Sequence, residues 1–186
     1  MGGDRPGWSS SAVHQSSADV NASQLFDLLL SGDNPQARRR AAELLGHLNI
    51  SKTETDRSTV ANVLIESIVT EDEVGVRTRA IEALHGHGEA YIEQLVDELA
   101  TSVSGDPDDV TRFFQPWLDS EHPEFRMVAV SSFRRLGDDS VVPSLREAFG
   151  DPDPRVRARA VEAYSHRGSV SAEPVQPLLR DGYAHV

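Results

Sequence analysis

The chain has no cysteine, one lysine and few aromatic residues. Without cysteine, disulfides and thiolate chemistry are excluded, and the composition fits a reducing cytoplasm. Aromatics make up 6% and hydrophobic residues 38% of the 186 positions, a lean supply for a core. No run approaches the roughly 18 apolar residues of a membrane-spanning helix. The first twenty residues lack the apolar stretch of a secretory signal. The expected compartment is therefore the cytoplasm, with no membrane partner. Catalytic motifs are missing as well: there is no GxSxG, no phosphate-cradling GxxxxGK[ST] and no HExxH. The sequence thus leads us to expect a non-enzymatic protein without cofactor or metal.

The scarcity of lysine belongs to an unusual charge balance. Lys52 is the sole lysine among 18 basic residues, set against 30 acidic ones, for a net charge of −12. Excess carboxylate keeps a protein soluble and repels nucleic acid and anionic membranes. This acidic, lysine-poor profile resembles proteins of extreme halophiles. It also fits an acidic protein from a GC-rich genome, where arginine replaces lysine. Under the first reading, removing salt removes screening, and self-repulsion weakens the fold.

What the chain does have is a repeated grammar. When Arg38, Arg77, Arg126 and Arg157 are aligned, the residues just before them are Ala37, Val76, Phe125 and Val156. Three residues later all four copies carry alanine, at Ala41, Ala80, Ala129 and Ala160; four further on stand Leu45, Leu84, Phe133 and Tyr164. The copies end at Asn49, Gly88, Gly137 and Gly168. Pro35, Pro123 and Pro154 stand three before the arginine, with Val74 the exception.

Elementary helix physics accounts for this pattern. Proline is tolerated in a first helical turn, where its missing N–H would lack a partner anyway. Asn34 and Asp153 before it are natural N-caps, and Gly or Asn at the far end suits the left-handed residue that terminates a helix. The apolar positions follow the i, i+4, i+7, i+8 stripe, with Ser132 the polar exception. The recurrent alanine implies close helix–helix approach.

In chain order, residues 1–20 read as a flexible arm rich in Gly, Ser and Asp, with Trp8 its one large aromatic. A capping helix is expected over 21–31, with Leu25, Leu28 and Leu29 on its apolar stripe. One domain over 21–186 then holds repeats at about 33–70, 71–103, 119–150 and 151–181. Their second helices are expected near 55–69, with Val60, Val63, Leu64, Ile68 and Val69 facing inward, and near 90–102, 141–149 and 173–180. Arginine-to-arginine spacings are 39, 49 and 31 residues. The long middle interval is assigned to an inserted helix near 109–118, DVTRFFQPWL, which Pro116 kinks or ends.

The segment 138–168, DDSVVPSLREAFGDPDPRVRARAVEAYSHRG, resembles HEAT repeats. It is most like the short subtype first named from phycobilisome lyase subunits, whose "VPxL" and "DxDPxVR" patterns match Val142 to Leu145 and Asp151 to Arg157. The resemblance implies an all-α fold, a right-handed α-solenoid of about four helical hairpins plus the N-terminal cap. It further implies a protein-binding scaffold. Lyase-like or enzyme-accessory activity on a protein-bound group is an alternative by subtype, and a DNA-backbone binder is another by analogy with some HEAT-like proteins.

The arginines Arg38, Arg77, Arg126 and Arg157 recur once per repeat, beside acids Asp33, Asp72, Glu121 and Asp151 or Asp153 in the preceding loops. They read as a structural ladder in which each guanidinium satisfies carboxylates and loop carbonyls. An anion-binding stripe is the competing reading, and the net charge opposes it. His85 and His87, with His47 and His166 near equivalent places, lack zinc-ligand spacing. Candidate partner-binding residues fall in two sets. Phe113, Phe114 and Trp117 form an aromatic cluster on the inserted helix, which either anchors a partner or fills the gap beside it. Asn62, Glu66, Tyr91, Gln94, Glu98 and Glu147 line a groove if the second helices form the concave layer, although the reverse arrangement also fits the sequence. Such a groove is mostly acidic and suits a basic or amphipathic protein.

Overall fold

The structure is a computed structural model and describes residues 22–48, 56–103, 107–135 and 139–166. The expected arm, the helix terminators Asn49, Gly137 and Gly168, and the expected helix near 173–180 lie outside the described residues. Every described element is helical, in keeping with an α-solenoid. Helix α1 spans 22–31. It is followed by α2 (Pro35–Gly46), α3 (Arg57–Thr70), α4 (Val74–His87), α5 (Glu89–Val103), α6 (Pro107–Leu118), α7 (Pro123–Arg135), α8 (Val142–Glu147) and α9 (Pro154–Ser165). The chain divides into two compact units, Met1–His87 and Gly88–Val186. The boundary falls between the two helices expected to make up the second repeat.

In the first unit, α4 packs on both α2 and α3. Ala41, Leu45, Ala80 and Leu84 are fully buried, as the repeated stripe requires. The small-residue positions allow close approach: a Cβ added at Gly46 would lie 2.9 Å from Ala83 Cβ and 3.0 Å from its Cα. Asn34 caps α2 by accepting the Gln36 amide at 2.9 Å, and Asp56 caps α3 by accepting that of Thr59 at 2.7 Å. Two inward faces differ from expectation. On α3, Ile65 is buried and Val69 is exposed, because Val60, Ala61, Leu64 and Ile68 already fix the buried arc. On α1, Ala22 and Leu29 are buried, one seven-residue step apart, while Leu28 is exposed and Leu25 half-buried.

In the second unit, α7 packs against α5, α6 and α9, and is buried over most of its length. Phe125, Ala129, Phe133, Val156, Ala160 and Tyr164 are all buried. Ser132, the polar residue in the stripe, donates to the Ala129 carbonyl at 2.7 Å. That bond offsets the cost of burying its hydroxyl. Helix α6 begins at Pro107 and carries Pro116 within it, running on to Leu118. The helix expected near 141–149 is shorter than its sequence suggests: six α-helical residues, Val142–Glu147, lie between 3-10 turns at Asp139–Val141 and Ala148–Gly150. Gly88, between α4 and α5, has φ +130°, a backbone region that favours glycine.

Candidate functional surfaces

The aligned arginines lie in the first turn of their helices, and Arg38 and Arg126 make the same set of bonds. Arg38 donates from Nε to Glu71 Oε2 at 2.7 Å, from Nη2 to Glu71 Oε1 at 3.0 Å and from Nη1 to the Gly32 carbonyl at 2.7 Å. Arg126 donates from Nε and Nη2 to the two Asp151 oxygens at 2.7 and 2.8 Å, and from Nη1 to the Ser120 carbonyl at 2.7 Å. Both carboxylates also accept a backbone N–H two residues on, from Glu73 and Asp153. The carbonyl comes from the loop before the arginine's helix, but the carboxylate comes from the loop that opens the next first helix. Asp33 and Glu121 are therefore not the acids that take these forks. Hydrogen bonding to Arg38 holds the Glu71 carboxyl below its usual value, against the opposing effect of burial.

The other two arginines have different surroundings. Arg157 donates from Nη1 to the carbonyls of Asp151 at 2.9 Å and Pro152 at 3.2 Å. Arg77 is half-buried, and burial lowers its pKa while Asp72 and Glu71 act in the opposite sense.

A second ionic arrangement escaped the sequence reading. Glu89, Glu93 and Asp97 stand four residues apart on α5 and meet arginines from α7 and α9. Arg159 bonds Glu89 through both terminal nitrogens and also reaches Glu162 at 3.5 Å. Glu162 accepts from Arg134 at 3.1 Å, and Arg134 also bonds Glu93. Arg135 lies 3.9 Å from Glu93 and binds Asp97 with two bonds of 2.6 and 2.7 Å. Three arginines and four carboxylates thus form one continuous chain. The acidic i, i+4, i+8 stripe on α5 was the available signal.

The aromatic cluster on α6 is partly core. Phe114 is fully buried, and Phe113 and Trp117 are half-buried. Trp117 packs edge-on against Phe125 of α7 with ring centroids 4.9 Å apart, and Phe113 meets Phe114 at 5.0 Å. Ring contacts running from Phe113 through Phe114 and Trp117 to Phe125 thereby tie α6 to α7.

The expected groove residues lie in both units. Asn62 and Glu66 are exposed on α3 of the first. In the second, Tyr91 and Gln94 are half-buried and Glu98 exposed on α5, while Glu147 is exposed on α8. Glu66, Glu98 and Glu147 make no ion pair with any described residue. Among the histidines, His87 is buried with Nε2 3.1 Å from the Leu45 carbonyl, and burial lowers its pKa. No group of His, Asp or Glu among the described residues is arranged to hold a metal ion. No described helix is long and apolar enough to cross a membrane.

The chain is similar to known repeat proteins. A family model described as HEAT repeats matches residues 22–113 and 111–185. A HEAT repeat-containing taxis protein of Halobacterium salinarum is 30% identical over 172 residues. The alignment covers 89% of this chain but 38% of that relative, so the chain spans under half of the relative's length. Among solved structures, an engineered protein matches with a TM-score of 0.46 and 18% identity, covering 88% of this chain and 68% of the other. The two matched stretches take in every described helix, and on that ground the chain belongs to the HEAT-repeat family.

Proposed function

We propose that this chain is a non-enzymatic cytoplasmic scaffold that binds a basic or amphipathic protein through exposed second-helix carboxylates, with Phe113 and Trp117 as an auxiliary anchor. One observation carries the reading: Glu66, Glu98 and Glu147 are exposed and make no ion pair among the described residues, although arginines elsewhere in the chain are bound to carboxylates. Unneutralised carboxylates on ordered helices attract a positively charged partner and set its orientation. The forks of Arg38 and Arg126 are turned onto carboxylates and carbonyls, which counts against a nucleic-acid backbone as the ligand. The taxis name of the Halobacterium relative supports a partner within a taxis apparatus. The resemblance of 138–168 to the short subtype is given no lyase chemistry in this reading. Recovery of the tagged chain from its own cells' lysate, at native ionic strength, tests the scaffold reading. A stoichiometric protein partner is expected; recovery of the chain alone, or with nucleic acid, contradicts it.

A further inference from the structure

The Arg38–Glu71 pair forms part of the wall of a cleft of about 310 Å³ in the first unit, between the C-terminal ends of α1 and α3. The lining carries one guanidinium, that of Arg38, and the three carboxylates of Glu71, Asp72 and Glu73; Arg77, outside the lining, acts on Asp72 and Glu71, which leaves a surplus of one negative charge. Leu29 and Leu30 supply an apolar wall, and Ser67 and Thr70 supply hydroxyls. Thr70 already donates its hydroxyl to the Glu66 carbonyl. Ser67 does not: it is 2% exposed, lines the cleft, and its Oγ has no hydrogen-bond partner among the described residues. A buried hydroxyl left unbonded is costly, and a polar ligand in the cleft would relieve that cost.

A carboxylate surplus, an apolar wall and a buried hydroxyl without a partner match one chemistry, an alkyl chain ending in a cation. The helix C-termini favour the same sign of charge, because their last carbonyls carry partial negative charge. Arg38 gives an anion little to bind, since its Nε, Nη1 and Nη2 all donate within the fold.

We propose that this cleft receives a lysine or arginine side chain of the partner protein, its aliphatic stem on Leu29 and Leu30 and its head between Asp72, Glu73 and the Ser67 hydroxyl. The proposal deepens the scaffold reading and rests on it for the partner being a protein. The cleft's chemistry is testable without that partner.

Amide NMR of the full chain, titrated with N-acetyl-lysine amide, N-acetyl-arginine amide and uncharged N-acetyl-norleucine amide, decides the matter. The salt is set where the helical signal is complete. The cationic probes are expected to shift the amides of Ser67, Thr70 and Asp72 and to bind at least about tenfold more tightly than norleucine amide, a difference one good charge contact supplies. An Asp72→Asn/Glu73→Gln variant leaves both Arg38 bonding groups in place and is expected to abolish the difference. Ser67→Ala tests the hydroxyl separately and is expected to weaken cation binding. Equal response to norleucine amide, shifts scattered over the surface, or undiminished binding by the double variant would overturn the cleft proposal. A partner recovered from lysate equally well by that variant would also overturn it while leaving the scaffold reading intact.

Discussion

Arg126 and Asp151 stand 25 positions apart in sequence and meet fork to fork, with side chains only 10% and 8% exposed. The pair joins the first turn of α7 to the loop that opens α9, and Arg38 and Glu71 repeat it between α2 and α4. Removing one member of a buried pair strands the other charge, which costs more than the pair itself contributes. Arg126→Ala is therefore expected to destabilise the second unit by about 3 kcal/mol in urea unfolding. Arg126→Lys keeps the charge but not the planar fork, and is expected to recover only part of the loss. A loss within about 0.5 kcal/mol for Arg126→Ala, the range of an ordinary surface substitution, would contradict the account.

Gly46 and Ala83 give a packing test. Gly46→Ala is expected to force α2 away from α4 and to cost about 2 kcal/mol, the usual scale for overpacking. Ala83→Gly removes the nearer of the two atoms the added methyl would meet and leaves Cα at 3.0 Å, so the double variant is expected to recover part of the loss and to be more stable than the sum of the two single losses. Strict additivity in thermal unfolding would show that the helices are not in contact there.

Two steps are expected in the pH dependence of stability. His87 is buried, and burial depresses its pKa below the ordinary 6.5. The unfolded chain then binds the proton more readily, so the stabilisation is complete above 6.5 and declines as pH falls toward the folded value. Glu71 is held below its ordinary 4.5 by the bond from Arg38, and its contribution is complete above 4.5 and lost on further acidification. His87→Gln should flatten the upper step and Glu71→Gln the lower one in denaturant titrations at fixed salt. Steps unchanged in both variants would assign the titration to other groups.

Salt acts on the net charge and on the ion-pair chain in opposite directions. Screening relieves repulsion among the acids but weakens the pairs around Arg134, Arg135 and Arg159. With a net charge of −12, repulsion dominates, and the unfolding midpoint is expected to rise with added KCl. Arg134→Gln breaks the chain in its middle and is expected to cost about 1 kcal/mol at low salt and less at high salt. A midpoint that falls with salt would contradict the expected dominance of repulsion.

The helical grammar was legible because one arginine and one alanine recur in each block, and Ala41, Ala80, Ala129 and Ala160 are all fully buried. The ionic partners were not. Proximity in sequence pointed to Asp33 for Arg38, whereas the fold supplies Glu71 from the next loop. The Glu89, Glu93 and Asp97 stripe was visible on its own helix, but its arginines come from α7 and α9, and no local period links them. On α6, composition revealed an aromatic cluster without revealing that Phe114 would be its buried member. Periodicity shows which face of a helix is apolar; tertiary packing decides which edge of that face is covered, as Ile65 and Val69 show on α3.

Charge reversal on the second helices tests the central claim most directly. Wild type and a Glu66→Lys/Glu98→Lys/Glu147→Lys variant would be compared for binding to the recovered partner in native salt, after matched helical content and unfolding midpoints have been confirmed. These carboxylates make no ion pair among the described residues, so the fold should tolerate their reversal. The account predicts that the folded variant loses partner binding. Undiminished binding by that folded variant would contradict recognition through the exposed carboxylates.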